Sequence, residues 1–288
     1  MLAVVLGGKG TLGMALTTQL PLAGIQVVAA PGHAECDISS AEAVSALVER
    51  WRPDVVFNAA AFTDVDGAEL HADLAYQVNA VAPELLARAC EARGARLVHY
   101  STDFVFDGEQ ERLYDEFDPP SPQGLYARSK LAGERLVQAA TRRAFVVRVG
   151  CLYGRGGRNF PSTILRRLRA GETVKADRDR KGSPTWVVPV ARVSAALVAT
   201  DHFGVYHCTA NQETSWADYA RFLAAELGLP EDRVQALPTS ALPMKAPRPR
   251  RAVLDNRMLR LRGLDTLGTW QEQARAFIAA ESGATAVT

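Results

Sequence analysis

The chain has 288 residues, 33 Lys and Arg against 32 Asp and Glu, a formal net charge of +1 and 48% hydrophobic residues. That length carries one large domain or two interlocked ones with a proper core, and the charge balance argues against a global attraction to nucleic acid or an anionic membrane. Cys36, Cys90, Cys151 and Cys208 show no C-x-x-C spacing and no zinc-ligand cluster, so free thiols in a reducing, cytoplasmic setting are expected.

The opening MLAVVLGGKG reads as a first buried strand, because its apolar run breaks at Gly7 and lacks a basic leader and cleavage site. No apolar run approaches membrane-spanning length. A helical pattern follows over Thr11 to Leu20, closed by Pro21 and Gly24. Ile25 to Ala30 predicts a second strand, Ala41 to Arg50 a helix, and Asp54 to Asn58 a third strand. One long helix is expected over Leu74 to Arg93, stopped by Gly94, then a strand over Arg96 to Ser101. Gly124 to Ala140 predicts a helix and Ala144 to Gly150 a strand. This alternation implies an α/β fold, a Rossmann-type doubly wound parallel sheet. Beyond Cys151 the rhythm loosens. Val187 to Thr200 looks helical and Val205 to Cys208 looks like a strand returning to the sheet. The expected division is a dinucleotide-binding domain over 1–150 plus 186–210 and a smaller α/β substrate-binding domain over 151–185 plus 211–288.

Gly7, Gly10 and Gly13 form G-x-x-G-x-x-G between a strand and a helix. Glycines there allow a tight turn and close approach of a pyrophosphate to backbone and helix N-terminus. Thr11 and Leu12 complete the loop, Asp37 and Ile38 are candidates for the adenine edge, and Asn58-Ala59-Ala60-Ala61 ends the third strand with small residues against which a cofactor lies. The second strand ends Val28-Ala29-Ala30-Pro31-Gly32-His33 without the usual acid for a ribose hydroxyl. That tilts the expectation to NADPH, with NADH as the alternative. Lys9 and His33 are candidates for a 2′-phosphate, and simple surface solvation explains them equally.

Tyr126 and Lys130 form Tyr-x-x-x-Lys on one face of a predicted helix. The lysine is expected to lower the phenol's pKa and make it a general acid for a ketone undergoing reduction. Alone, such a pair is more often a solvated face. Thr102, at the carboxyl edge of the sheet, strengthens the catalytic reading.

These features resemble the extended short-chain dehydrogenase/reductases. Three longer strings, Asn58 to Asp66 with Ala68-Glu69, Tyr100 to Gly108, and Tyr126 to Glu134, resemble the dTDP-4-dehydrorhamnose reductase family, with weaker matches through Asn159-Phe160, Gly182 to Thr185, Trp216 to Tyr219 and Arg248-Pro249. The resemblance implies NADPH-dependent reduction of the 4-keto group of a nucleotide-diphosphate deoxysugar, in a monomer or homodimer. Tyr126 would protonate the oxyanion, Thr102 orient it, and Lys130 tune Tyr126 and hold the nicotinamide ribose. Asn79 would support a proton-relay water, with helix packing as the competing role. Thr63, Val65, Thr102, Asp103, Phe104, Cys151, Asn159, Phe160 and Arg248 would meet the substrate. Cys151 departs from the family's bulky aromatic and puts the identity of the sugar in doubt. Ala15 stands where some relatives carry a metal-linking Glu, so no metal site is expected. Of the basic residues between Arg142 and Lys181, including Arg155, Arg158, Arg166 and Arg180, most are expected to be solvated. One or two of these, or Arg248 and Arg250, are candidates for the diphosphate. A sugar epimerase or dehydratase and a non-catalytic NADP-binding regulatory subunit share this fold and stand as alternatives. Asp103 beside Thr102 occupies the place of the acid a dehydratase would need, but the surrounding Ser-Thr-Asp-Phe-Val-Phe string matches the reductases better.

Overall fold

The computed structural model describes residues 1–156 and 159–284. Its frame is a six-stranded parallel sheet built from β1 (Leu2–Leu6), β2 (Gln26–Ala29), β3 (Val55–Asn58), β4 (Arg96–Thr102), β5 (Ala144–Val149) and a late strand at Gly204–His207. In sheet order the neighbours run β2, β1, β3, β4, β5 and then the late strand. Strand order reverses beside β1, and a crevice forms there at the carboxyl ends of β1 and β3. Burial on both faces explains the near-continuous apolar strands.

Helices α1 (Thr11–Gln19), α2 (Ala41–Trp51), α3 (Val65–Ala68), α4 (Ala72–Tyr76), α5 (Ala82–Arg93) and α6 (Leu125–Ala140) fill the connections. The helix expected over Leu74 to Arg93 is interrupted. Between α4 and α5 the chain makes a π-turn over Gln77–Val81, a local widening that periodicity alone does not reveal.

The rest of the chain contributes β6 (Leu152–Tyr153), α7 (Phe160–Arg169), β7 (Val174–Asp177), β8 (Lys181–Gly182), β9 (Thr185–Trp186), α8 (Val187–Val198), β10 (the late strand), β11 (Thr214–Ser215), α9 (Trp216–Glu226), β12 (Val234–Leu237), α10 (Arg257–Leu261) and α11 (Trp270–Ala284). Helix α8 packs beside α1, and β10 pairs parallel with β5 with Tyr206 opposite Val147. Among the described residues four apolar clusters result, the smallest around Phe106, Leu131 and Leu254. Val5, Leu16, Phe57, Phe145 and Leu197 lie on the α1/α8 face, and Val4, Val56, Leu86, Leu97 and Val137 on the opposite face. Ile164, Leu165, Tyr219, Leu223, Trp270 and Phe277 form the core of the later segments.

Candidate active site

The glycine loop is a cradle that only glycines fit. Gly7 has φ +72°, and a Cβ on Gly13 would stand 2.1 Å from the Gly7 carbonyl oxygen. Gly8 is equally constrained, because a Cβ there would meet the Ala30 carbonyl at 2.4 Å. Spacing did not single out Gly8. The amides of Gly7 and Gly8 both donate to the Pro31 carbonyl, at 3.1 and 3.2 Å, which folds the end of β2 onto the loop. Gly10 precedes α1, whose first backbone bond runs from Met14 to Gly10. The amides of Thr11, Leu12 and Gly13 therefore have no carbonyl partner within the helix and face the crevice end with the positive helix dipole. This suits a pyrophosphate. The Thr11 hydroxyl donates to the Gly156 carbonyl at 2.5 Å, tying the loop to the segment after β6.

At the neighbouring edge the absence of an acid is true of the strand end but not of the space around it. Lys9 Nζ meets Glu35 Oε1 at 2.5 Å, and the Gly32 amide donates to Glu35 Oε2 at 2.6 Å. Asp37 is exposed and accepts from the Ser39 amide and hydroxyl, while Ile38 is buried. Asn58 is buried at the end of β3, where its Nδ2 contacts His99 Nδ1 at 3.2 Å and its Oδ1 accepts from the Ala60 amide. The half-buried Ala59 and Ala60 lie directly over Gly7, and Ala61 follows them.

Tyr126 and Thr102 meet at the end of β4, and Lys130 lies one turn further along α6. Strand β3 stops at Asn58 opposite His99, while β4 runs on to Thr102 paired with β5 alone. The Lys130 ammonium donates to the Tyr100 carbonyl at 2.6 Å in this overhang. Burial pushes the Tyr126 phenol up to about 12, opposed by the Thr102 hydroxyl beside it, while the nearby Asp103 adds to the rise. The expected lowering by lysine is therefore absent here: the ammonium is engaged by a backbone carbonyl, and desolvation dominates. Burial also lowers Lys130 to about 8, with Glu134 acting against it, so the ammonium still prevails at neutral pH. The phenol is protonated, the state a general acid needs. Thr102 donates to Asp103 Oδ1 at 3.0 Å, and burial raises that carboxyl to about 7. Phe104 sets its ring edge-on to Tyr126 at 6.1 Å.

The profile of the RmlD substrate binding domain family matches residues 1–282. The chain is 39% identical over 291 aligned residues to a dTDP-4-dehydrorhamnose reductase of Mycobacterium tuberculosis, covering 99% of this chain and 94% of that one. The chain belongs to the dTDP-4-dehydrorhamnose reductase family. A Streptomyces griseus reductase of the same name is also 39% identical, over 93% of this chain and 90% of its own. A Clostridium acetobutylicum dTDP-4-dehydrorhamnose reductase superposes with TM-score 0.93 at 35% identity, covering 98% of this chain and 100% of that one. So does a Bacillus anthracis reductase of that name in complex with NADP, with TM-score 0.93 at 32% identity and 97% and 99% coverage.

The family's strings acquire physical reasons in this chain. Asp66 Oδ1 accepts from Arg248 at 2.9 Å and from the Lys245 and Ala246 amides, and these hydrogen bonds, that of Arg248 foremost, hold its carboxyl well below the usual range. Glu69 Oε1 accepts from the Leu125 amide at 2.7 Å and thereby caps α6 one residue before Tyr126. Asn79 exchanges hydrogen bonds with the Phe62 backbone at 2.9 and 3.0 Å and donates to Ser129 at 3.1 Å. Both amide hydrogens are used, so Asn79 clamps the β3 loop to α6. A Cβ on Gly133 would lie 2.0 Å from the Asn79 carbonyl oxygen, so glycine is what lets α6 touch the π-turn. Gly108, at φ +81°, passes against the Arg250 and Arg251 amides. Glu134 forms a buried ion pair with Arg148 at 2.7 Å. Asp66, Glu69, Gly133 and Glu134 are visible in the strings, but periodicity carries no signal for their long-range partners.

On the substrate side Thr63 is exposed and Val65 opens α3. Cys151 follows β5 with φ +35°, and burial raises its thiol, which argues against a nucleophile. Asn159 caps α7 by accepting from the Ser162 amide at 2.9 Å. Phe160 stands edge-on to Trp216 at 5.4 Å, forming an aromatic wall. Most of the basic residues are engaged. Arg155 pairs with Glu281, Arg167 with Glu172, Arg178 with Asp179, Arg180 with Asp177 and Lys181 with Glu213. Arg248 is held by Asp66 through Nη1, and Arg250 is exposed. Arg158 lies outside the described residues. Among the described residues no helix is long and apolar enough to cross a membrane.

Proposed function

We propose that this chain reduces the 4-keto group of a nucleotide-linked 4-keto-6-deoxyhexose, with dTDP-4-dehydrorhamnose to dTDP-L-rhamnose as the leading case. What supports the reading is the Tyr126 phenol beside Thr102, with Lys130 one turn further along α6 and a glycine cradle suited to a dinucleotide. NADPH, when bound, supplies the hydride. Gly7, Gly10, Gly13 and the free amides of α1 would hold its pyrophosphate, with Asn58, Ala59, Ala60 and Ala61 beneath it. Lys130 would hold the ribose nearer the reaction.

As the new C–H bond forms at C4, the carbonyl electron pair moves to oxygen, which takes the Tyr126 proton. The Thr102 hydroxyl orients that oxygen. Phe104, Cys151 and the Phe160–Trp216 wall are proposed to flank the sugar. Segments 1–150 plus 186–210 are proposed as the dinucleotide-binding unit, with 151–185 plus 211–288 as the substrate-binding unit.

A UDP-glucose 4-epimerase of Thermus thermophilus shares the fold at TM-score 0.84 but only 22% identity, so it speaks for the architecture alone. Cofactor balance separates the classes. Mixed with excess 4-keto-6-deoxysugar nucleotide, the chain is expected to oxidise one NADPH per sugar, followed by absorbance. Sugar conversion without net NADPH loss would make it an epimerase or dehydratase and overturn the proposal.

A further inference from the structure

The end of β2 is pressed against the glycine loop through the Pro31 carbonyl and the Gly8–Ala30 contact. In dinucleotide folds this junction receives the adenosine ribose. Here the chain doubles back, since the Glu35 and Cys36 amides both donate to the Gly32 carbonyl at 3.1 Å. The turn brings the Glu35 carboxylate beside the loop. One oxygen takes the Gly32 amide at 2.6 Å and the other the Lys9 ammonium at 2.5 Å. The stem of Lys9 lies along Gly32, where a Cβ would stand 3.0 Å from Lys9 Cδ. Lys9 is 69% exposed and Glu35 50%. An ion pair so open to water adds little to stability, so its arrangement is not needed for folding and opens at small cost. His33 and Asp37 are the other ionisable groups of this turn, and both are exposed.

We propose that Glu35 is a specificity-determining residue for the cofactor, acting by competition for Lys9. A ribose 2′-phosphate needs Lys9 and is repelled by the Glu35 carboxylate, so it must displace that carboxylate to bind. A free 2′-hydroxyl donates to the same carboxylate and leaves the pair closed. The Lys9–Glu35 pair thus lets the chain accept both nicotinamide dinucleotides and sets their ratio. The proposal rests on the dinucleotide reading of the glycine loop.

The test uses binding, not turnover. Dissociation constants are measured by calorimetry for adenosine 2′,5′-bisphosphate, adenosine 5′-monophosphate, NADP⁺ and NAD⁺ on the wild type, Glu35→Gln and Lys9→Met. In Glu35→Gln the preference for the 2′-phosphorylated member of each pair should rise roughly three- to tenfold, as expected for removing one close like charge at an exposed site. In Lys9→Met it should fall by a similar factor while NAD⁺ affinity stays within about twofold. Ratios unchanged in both variants, with all four ligands still bound, would overturn the competition and leave the dinucleotide reading standing. Failure of the wild type to bind any of the four would overturn both.

Discussion

Tyr126 and Asp103 sit on either side of Thr102, and burial acts on both. It keeps the phenol protonated, at about 12, and brings the carboxyl to about 7. For Tyr126 this means the proton is present at neutral pH but is given up reluctantly until positive charge accumulates nearby. Replacing Tyr126 by Phe should lower kcat about 10²- to 10⁴-fold, the usual worth of a positioned proton donor, with NADPH binding within a few-fold of wild type. Retention of most of kcat would remove Tyr126 from its role. Asp103 gives a second, thermodynamic readout. Its folded value lies above the ordinary 3.8. Between pH ~4 and ~7 the folded chain keeps a proton that the unfolded chain releases, and stability falls as pH rises through this window, by up to about 1.4 kcal/mol per pH unit. Urea unfolding at pH 4.5 and 7.5 should show a smaller loss over that interval in Asp103→Asn than in wild type. Equal losses would mean the carboxyl ionises normally.

Within the elements, α6 is held at its start and its middle by residues distant in sequence. Glu69 caps its start, and Gly133 lets its middle touch the Asn79 carbonyl. A methyl at position 133 would collide with backbone that has no side-chain freedom to yield. Gly133→Ala is therefore expected to cost roughly 1–3 kcal/mol in urea unfolding, although alanine favours helices elsewhere. An unchanged or higher stability would show that α6 and the π-turn separate without penalty. The strand and helix alternation was legible because each buried strand is an apolar run bounded by glycine, proline or polar residues. The π-turn was not, since Gln77–Val81 keeps an ordinary helical pattern and its widening answers to contacts with α6. For the same reason Asn79 was legible as a residue of interest but its partners, Phe62 and Ser129, were not.

Across the whole molecule, segments far apart in sequence complete one crevice. Thr11 of α1 bonds the Gly156 carbonyl, Asp66 holds the 245–248 segment through backbone and Arg248, and β10 extends the sheet beside β5. The glycine loop, Thr102, Tyr126 and Lys130 were legible because their chemistry lies in short strings. Glu35 was not, because only the fold-back at Gly32 carries it to Lys9. The ion pair of Arg248 was not legible for the same reason: a sequence displays its charge but not Asp66 beside it. The reaction proposed for these parts is net hydride transfer to ring carbon four with a proton from Tyr126. NADPH deuterated at nicotinamide C4, mixed with a dTDP-4-keto-6-deoxyhexose and followed by NMR of the sugar product, checks it. Expected are one deuterium at sugar C4 from the transferable position, a 4-hydroxyl in place of the ketone, and one cofactor oxidised per sugar. A product that carries no deuterium at C4, or a ketone that survives while another centre inverts, would contradict it.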